Sequence, residues 1–236
     1  MTRASSEKTK SNNELNFKRW QQLCHRLDIN NHGTICQEFN RLVSAYQESQ
    51  RAYHTAQHIC ECLELLDWTT AETGIKFSPV LETALWYHDA VYKPQALDNE
   101  RCSADQAITF LQAHRVAPKQ IKAIESLIMA TCHLAGQHCS ITSELSQWIL
   151  DIDLAILGSA PQRFAQYENQ IRQEYRWVPK STYRAERTKV LMQFLERPAI
   201  YQSSLFRTRF EVQARHNLSS ITLGNNTPVA NVGCSN

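Results

Sequence analysis

Glycine is scarce: six residues in 236, roughly 2.5% against a usual share of about 7%. That scarcity excludes several kinds of site. Neither GxGxxG nor GxxxxGKS/T occurs, which removes dinucleotide and P-loop sites that cradle phosphate with backbone amides. Sandwiches and barrels need many tight turns, and their positive-φ positions favour glycine. The shortage therefore points to helices. Long apolar runs are missing too, since none approaches the roughly 18 residues of a membrane helix. The opening stretch, MTRASSEKTKSNN, has no apolar signal-peptide core, so a cytoplasmic protein is expected. Excess charge is also absent: a net charge of +2 and a pI near 8.1 are too mild to argue for a nucleic-acid surface. Finally, the eight cysteines include no CxxC pair. Cys60 and Cys62 diverge on a helix, and reduced, buried thiols acting as small hydrophobes are the expectation.

What is present reads as ordinary globular chain, 42% hydrophobic and 20% charged, long enough for a substantial core. The polar residues 1–13 and the Ser/Asn/Thr-rich residues 219–236 read as disordered tails. Between them, 14–218 reads as one domain with no linker and no repeat. Apolar residues recur there at helical spacing. Trp20, Leu23, Cys24 and Leu27 form one stripe; Phe39, Leu42, Val43 and Tyr46 form another. Further stripes run through Ile59–Leu66, Leu81–Val91, Ala104–Leu111, Ile121–Thr131, Leu145–Leu157, Phe164–Tyr175, Tyr183–Leu195 and Leu205–Ala214. No period-2 segment stands out. The expected fold class is all-α, with roughly eight to eleven helices packed on one another.

Chemistry concentrates in three places. His54 and His58, in RAYHTAQHI, are four apart and share one face if both are helical. His88 continues the buried stripe of Leu81 and Leu85 in TALWYHDAVY, and Asp89 follows at once. Asp151 and Asp153 lie in LSQWILDIDLAILG, an almost uninterrupted apolar helix, where a carboxylate is costly unless compensated. Asp153 extends the face of Leu150, Leu154 and Leu157, and Asp151 lies about 200° round the helix. No lysine or arginine in that helix pairs with either. A metal ion is the simplest partner for a buried carboxylate that sits with buried histidines.

The order His58, His88-Asp89, Asp153 resembles the HD superfamily of metal-dependent phosphohydrolases, whose pattern is H…HD…D on an all-helical domain. RAYHTAQHI, LWYHDAVYKP, DNERCSA, ATCH, LDIDLAILG, IRQEYRWVP and RPAIYQS…FE…ARHNL look like an uncharacterised bacterial branch of predicted HD phosphohydrolases. The resemblance covers about residues 15–218 and implies a single compact bundle. It implies His58, His88, Asp89 and one of Asp151 and Asp153 as metal ligands, with Asp153 preferred. His54 either replaces His58 or bonds substrate phosphate. Asp89 also accepts the nucleophile's proton.

Such a mixed N/O set suits Mn, Fe, Co, Ni or Zn better than Mg. Arg51, Lys93 and Arg101 are candidates to meet phosphate charge, although a solvated surface role explains each equally well. Asp98 or Asn99 caps the following helix, and the resemblance implies that Glu100 and Arg101 face the site. His133, like His138, lies where two-metal members carry extra histidines. Arg172, Tyr175, Arg176, Tyr183, Arg184 and Arg187 form a basic-aromatic cluster, either a phosphate or interface patch or a solvated helix pair. The expected substrate is a small phosphomonoester or nucleotide, with no membrane or nucleic-acid partner implied and a homo-oligomer compatible with the sequence. The alternatives are a metal- and nucleotide-binding sensor that does not hydrolyse, and a helical scaffold without metal.

Overall fold

A computed structural model describes residues 14–76, 79–132 and 144–225. No strand occurs among the described residues, and the chain is all-α. The described residues fall into two compact units, divided between Met129 and Ala130. That division lies inside the linker-free stretch, where composition gave no sign of it.

In the first unit α1 (Phe17–Arg26) and α2 (His32–Tyr46) each start on an asparagine. Asn16 accepts from the Arg19 amide at 3.1 Å and Asn31 from Thr34 at 3.0 Å, satisfying amides that the first turn leaves without partners. α3 (Ala56–Thr73) closes on Gly74, whose φ of 69° is the left-handed conformation glycine takes without steric cost. α4 (Pro79–Tyr87) is the core of this unit, with every residue from Val80 to Tyr87 buried. It packs on α1, α3 and α5 (Asn99–Ala113), and α6 (Pro118–Ala130) follows. Glu82 is buried within α4 and is compensated by Arg19 at 2.7 Å and Arg26 at 2.8 Å, both from α1.

One boundary differs from the sequence reading. The stripe over Leu81–Val91 predicts a helix past the HD pair, but α4 stops at Tyr87 and His88-Asp89 forms the turn that follows. The helix of the Ala104–Leu111 stripe runs from Asn99 with Asp98 at its N-cap position, which agrees with the cap expected at Asp98 or Asn99.

The second unit comprises α7 (Glu144–Leu154), a 3-10 turn (Ala155–Gly158), α8 (Pro161–Glu174) and α9 (Lys180–Leu195). It ends in a helical run formed by α10 (Ser204–Phe206), a π-helical turn (Arg207–Glu211) and α11 (Val212–Asn225). α11 packs on α9 and on the 3-10 turn. The tail expected from residue 219 is helical as far as Asn225. Leu218 and Thr222 are buried there, and the hydroxyls that make the segment look disordered bond carbonyls one turn back. Thr222 donates to Leu218 O at 3.2 Å and Ser220 to Asn217 O at 2.7 Å. Residues 1–13 and 226–236 lie outside the described residues.

Gly158 reads in the sequence as a helix-ending cap. Its structural reason is different. A Cβ there would lie 2.7 Å from both the Cβ and the carbonyl oxygen of Phe210, and 2.9 Å from the Tyr201 hydroxyl. The glycine is needed for close approach of two backbones.

Candidate metal centre

The first unit brings three ligand atoms together. His58 sits in the first turn of α3, and His88 and Asp89 in the turn that leaves α4. Packing of α3 on α4 sets His58 Nε2 3.1 Å from His88 Nε2. Asp89 Oδ2 lies 3.4 Å from the first and 3.3 Å from the second. Both imidazoles are 2% exposed. His88 Nδ1 lies 3.0 Å from the Leu85 carbonyl. A carbonyl can only accept, so Nδ1 carries the hydrogen. In the neutral ring the Nε2 lone pair therefore points at the other two atoms, the arrangement that orients metal-binding histidines.

Two ligand atoms each about 2.1 Å from one ion stand roughly 3.0 Å apart at a right angle and 3.4 Å apart at a tetrahedral angle. The three edges, 3.1, 3.3 and 3.4 Å, fall within that range. The donor set fits a divalent ion. Burial pushes the Asp89 carboxyl up, but His88, His54 and His58 outweigh it and hold the group well below the ordinary carboxylate range.

Cys62 is one member of this cluster that the sequence reading treated as a small hydrophobe. It lies one turn after His58 on α3, buried, with Sγ 3.8 Å from both ring nitrogens of His58. The ligand atoms of His58, Cys62 and His88 lie within 4.8 Å of one another. The signal was available as His-xxx-Cys, an i, i+4 pair on a helix.

His54 does not share the helical face expected for HxxxH, because it precedes α3 in the turn that leads into it. Its ring stacks on Tyr92 at 4.0 Å between centroids and stands 6.2 Å from that of His58. Arg51, offered as a phosphate contact, has a side chain with 0% exposure. It donates to the carbonyls of His54 at 2.9 Å, Asp89 at 2.7 Å and Ala90 at 3.1 Å, and to Glu48 at 3.1 Å. It also lies over the rings of Tyr46 and Tyr92. Arg51 thus ties the turn carrying His54 to the turn carrying Asp89.

The polar segment after the HD pair is also structural. Asn99 brackets Lys93, accepting from its amide and donating to its carbonyl, both at 3.0 Å. Ser103 accepts from the Val91 amide at 3.0 Å. Asp98 occupies the N-cap position of α5 without a side-chain capping bond. Lys93 is exposed and Glu100 half-buried. Arg101 is committed to Asp105 at 2.5 Å and Glu125 at 2.7 Å. Neither Glu100 nor Arg101 hydrogen-bonds the triad. His133 and His138 lie outside the described residues.

In the second unit the sequence set Asp153 on the α7 face of Leu150, Leu154 and Leu157, with Asp151 about 200° round the helix. The structure buries Asp151 completely and leaves Asp153 half-buried. Asp151 accepts from the amides of Gln202 at 2.6 Å and Ser203 at 2.7 Å. Burial pushes its carboxyl up, opposed by those hydrogen bonds. Its role is to anchor the segment that enters α10.

No protein-family model, curated protein or solved structure matches the chain. The chemistry is read from the site alone.

Proposed function

We propose that the protein is a metal-dependent phosphohydrolase of the HD type, acting on a small phosphomonoester or nucleotide in the cytoplasm. The observation that carries the reading is the convergence of His58 Nε2, His88 Nε2 and Asp89 Oδ2 with edges of 3.1–3.4 Å. Two imidazoles and a carboxylate favour Mn, Fe, Co, Ni or Zn over Mg, and the neighbouring thiol adds to that preference. The HD resemblance implies one further carboxylate ligand, for which Asp153 is the candidate, and Asp151, already bonded to two amides, supports the fold instead.

A divalent ion held there supplies a Lewis acid for the phosphoryl group and a water activated near neutral pH. Asp89, besides holding the ion, would orient the attacking water and accept its proton. His54, held by its stack on Tyr92, contacts a phosphate oxygen. Exposed Lys93 offers a cation for the charge that develops on the phosphoryl oxygens. Arg51 acts at one remove, fixing the Asp89 carbonyl and so the carboxylate's direction.

The experiment is a metal-by-substrate screen over a panel of phosphoesters, read by phosphate release. Activity is expected with at least one of the transition ions and is expected to vanish in Asp89→Ala. Nucleotide binding without phosphate release under every ion would favour a sensor. An Asp89→Ala variant that keeps both metal and activity would defeat the assignment.

A further inference from the structure

The basic-aromatic cluster of the second unit lies outside the metal-centre reading, and the fold gathers most of it around one cleft. α8, α9 and α11 border an open cleft of about 300 Å³ lined by Glu168, Arg172, Lys180, Tyr183, Arg184 and Arg187. Four cations thus face one carboxylate. Arg187 neutralises that carboxylate, bonding Glu168 at 2.5 Å and the Tyr167 hydroxyl at 2.8 Å. Three positive charges are left over.

Arg172 is fixed in place, donating to the carbonyls of Tyr175 at 2.7 Å and Val178 at 3.0 Å with its guanidinium 4.7 Å over the Tyr183 ring. Lys180 and Arg184 are exposed and make no ion pair among the described residues. A second observation points the same way. The Tyr183 hydroxyl is buried and has no hydrogen-bond partner, a state that folded proteins rarely tolerate without a reason. Third, Lys180 is the first residue of α9, whose N-cap Pro179 provides no side-chain acceptor and whose first turn has no acid. The partial positive charge of that helix end is therefore uncompensated.

We propose that this cleft binds a small phosphorylated ligand. Its phosphate is held by Lys180 and Arg184, takes the hydrogen bond of the Tyr183 hydroxyl, and lies in the field of Arg172 and the α9 N-terminus. Guanidinium and ammonium groups converging on one point are the usual recognition of a multiply charged oxyanion. A volume at the low end of small-molecule pockets, about 300–1,000 Å³, suits a compact phosphoester and excludes a polynucleotide. The site uses residues of the second unit alone and requires no metal.

The test is calorimetric titration of the full chain in chelator with pyrophosphate and adenosine 5′-monophosphate, with adenosine as the uncharged control. At least one of the two phosphates is expected to bind, and adenosine is not. The double substitution Lys180→Glu and Arg184→Glu, on two exposed positions, is expected to weaken binding at least ten-fold. Tyr183→Phe, which keeps the ring under Arg172, is expected to weaken it several-fold without lowering the urea midpoint. Binding in His88→Ala is expected to equal wild type, which separates this site from the metal centre. Absence of binding by both phosphates, equal affinity in the double variant, or loss of binding in His88→Ala would overturn the proposal.

Discussion

Arg51 carries a full charge on a side chain with no exposed surface, and its donors meet three main-chain carbonyls and the Glu48 carboxylate. Removing it would leave buried carbonyls without partners. Arg51→Ala is therefore expected to cost about 2–4 kcal/mol in urea unfolding and to lower metal retention, because the Asp89 turn loses its tie to the His54 turn. Lysine offers one nitrogen where the site uses three, so Arg51→Lys should recover little of either. None of this was legible in the sequence, where Arg51 read either as a phosphate contact or as a solvated surface cation. Its partners are carbonyls of two turns, and the conformation of a turn is not encoded in a residue pattern. His88 and Asp89 were legible, since an apolar stripe runs directly into them.

A second residue-scale expectation concerns alkaline pH. Burial and then the Glu38 carboxylate push the Cys24 thiol from 9.0 to about 12, and burial with nearby glutamates pushes Cys60 to about 11. The folded values exceed the unfolded ones, so the unfolded chain loses these protons first as pH rises. Their stabilising contribution is complete below about pH 9 and disappears as pH climbs through the folded values. In reductant, the urea midpoint should fall between pH 8 and 11, and fall less in Cys24→Ala. An equal fall in both proteins would show that Cys24 has no part in it.

At the scale of elements, helical periodicity located the helices because each buries one face, but it does not rank burial along a helix where nearly every residue is apolar. In α7 the buried carboxylate is Asp151, not Asp153. A helix apolar on all sides has no polar side from which to set the rotation. The two aspartates should therefore separate in experiment. Asp151→Ala strands two amides that it now satisfies and is expected to lose about 2–4 kcal/mol of stability. Asp153→Ala is expected to keep its unfolding midpoint within about 1 kcal/mol and to lose metal. Unchanged metal content in Asp153→Ala would remove it from the ligand set.

Glycine positions make a similar contrast. Gly158→Ala drives a Cβ into the Phe210 backbone and is expected to cost about 1–3 kcal/mol. Gly74→Ala has open space around it and only the strain of φ 69° to bear, about 1 kcal/mol. Thermal or urea unfolding of the two variants tests the order.

For the whole molecule, the scarcity of glycine takes on a structural meaning. With six glycines in 236 residues the chain has few means of cradling phosphate with backbone amides. Both places proposed for phosphate chemistry instead use side chains anchored on or beside helices. No described helix is long and apolar enough to cross a membrane. Metal bound to the native state alone stabilises it by mass action, by about 2.7 kcal/mol at a free concentration one hundred times Kd. The measurement closest to the central claim is elemental analysis of the untagged full chain, purified without chelator and compared with His88→Ala and Asp89→Ala. About one transition-metal ion per chain in the wild type, falling to background in both variants, is the result predicted. A wild-type protein without stoichiometric metal, or variants that retain it, would contradict the account.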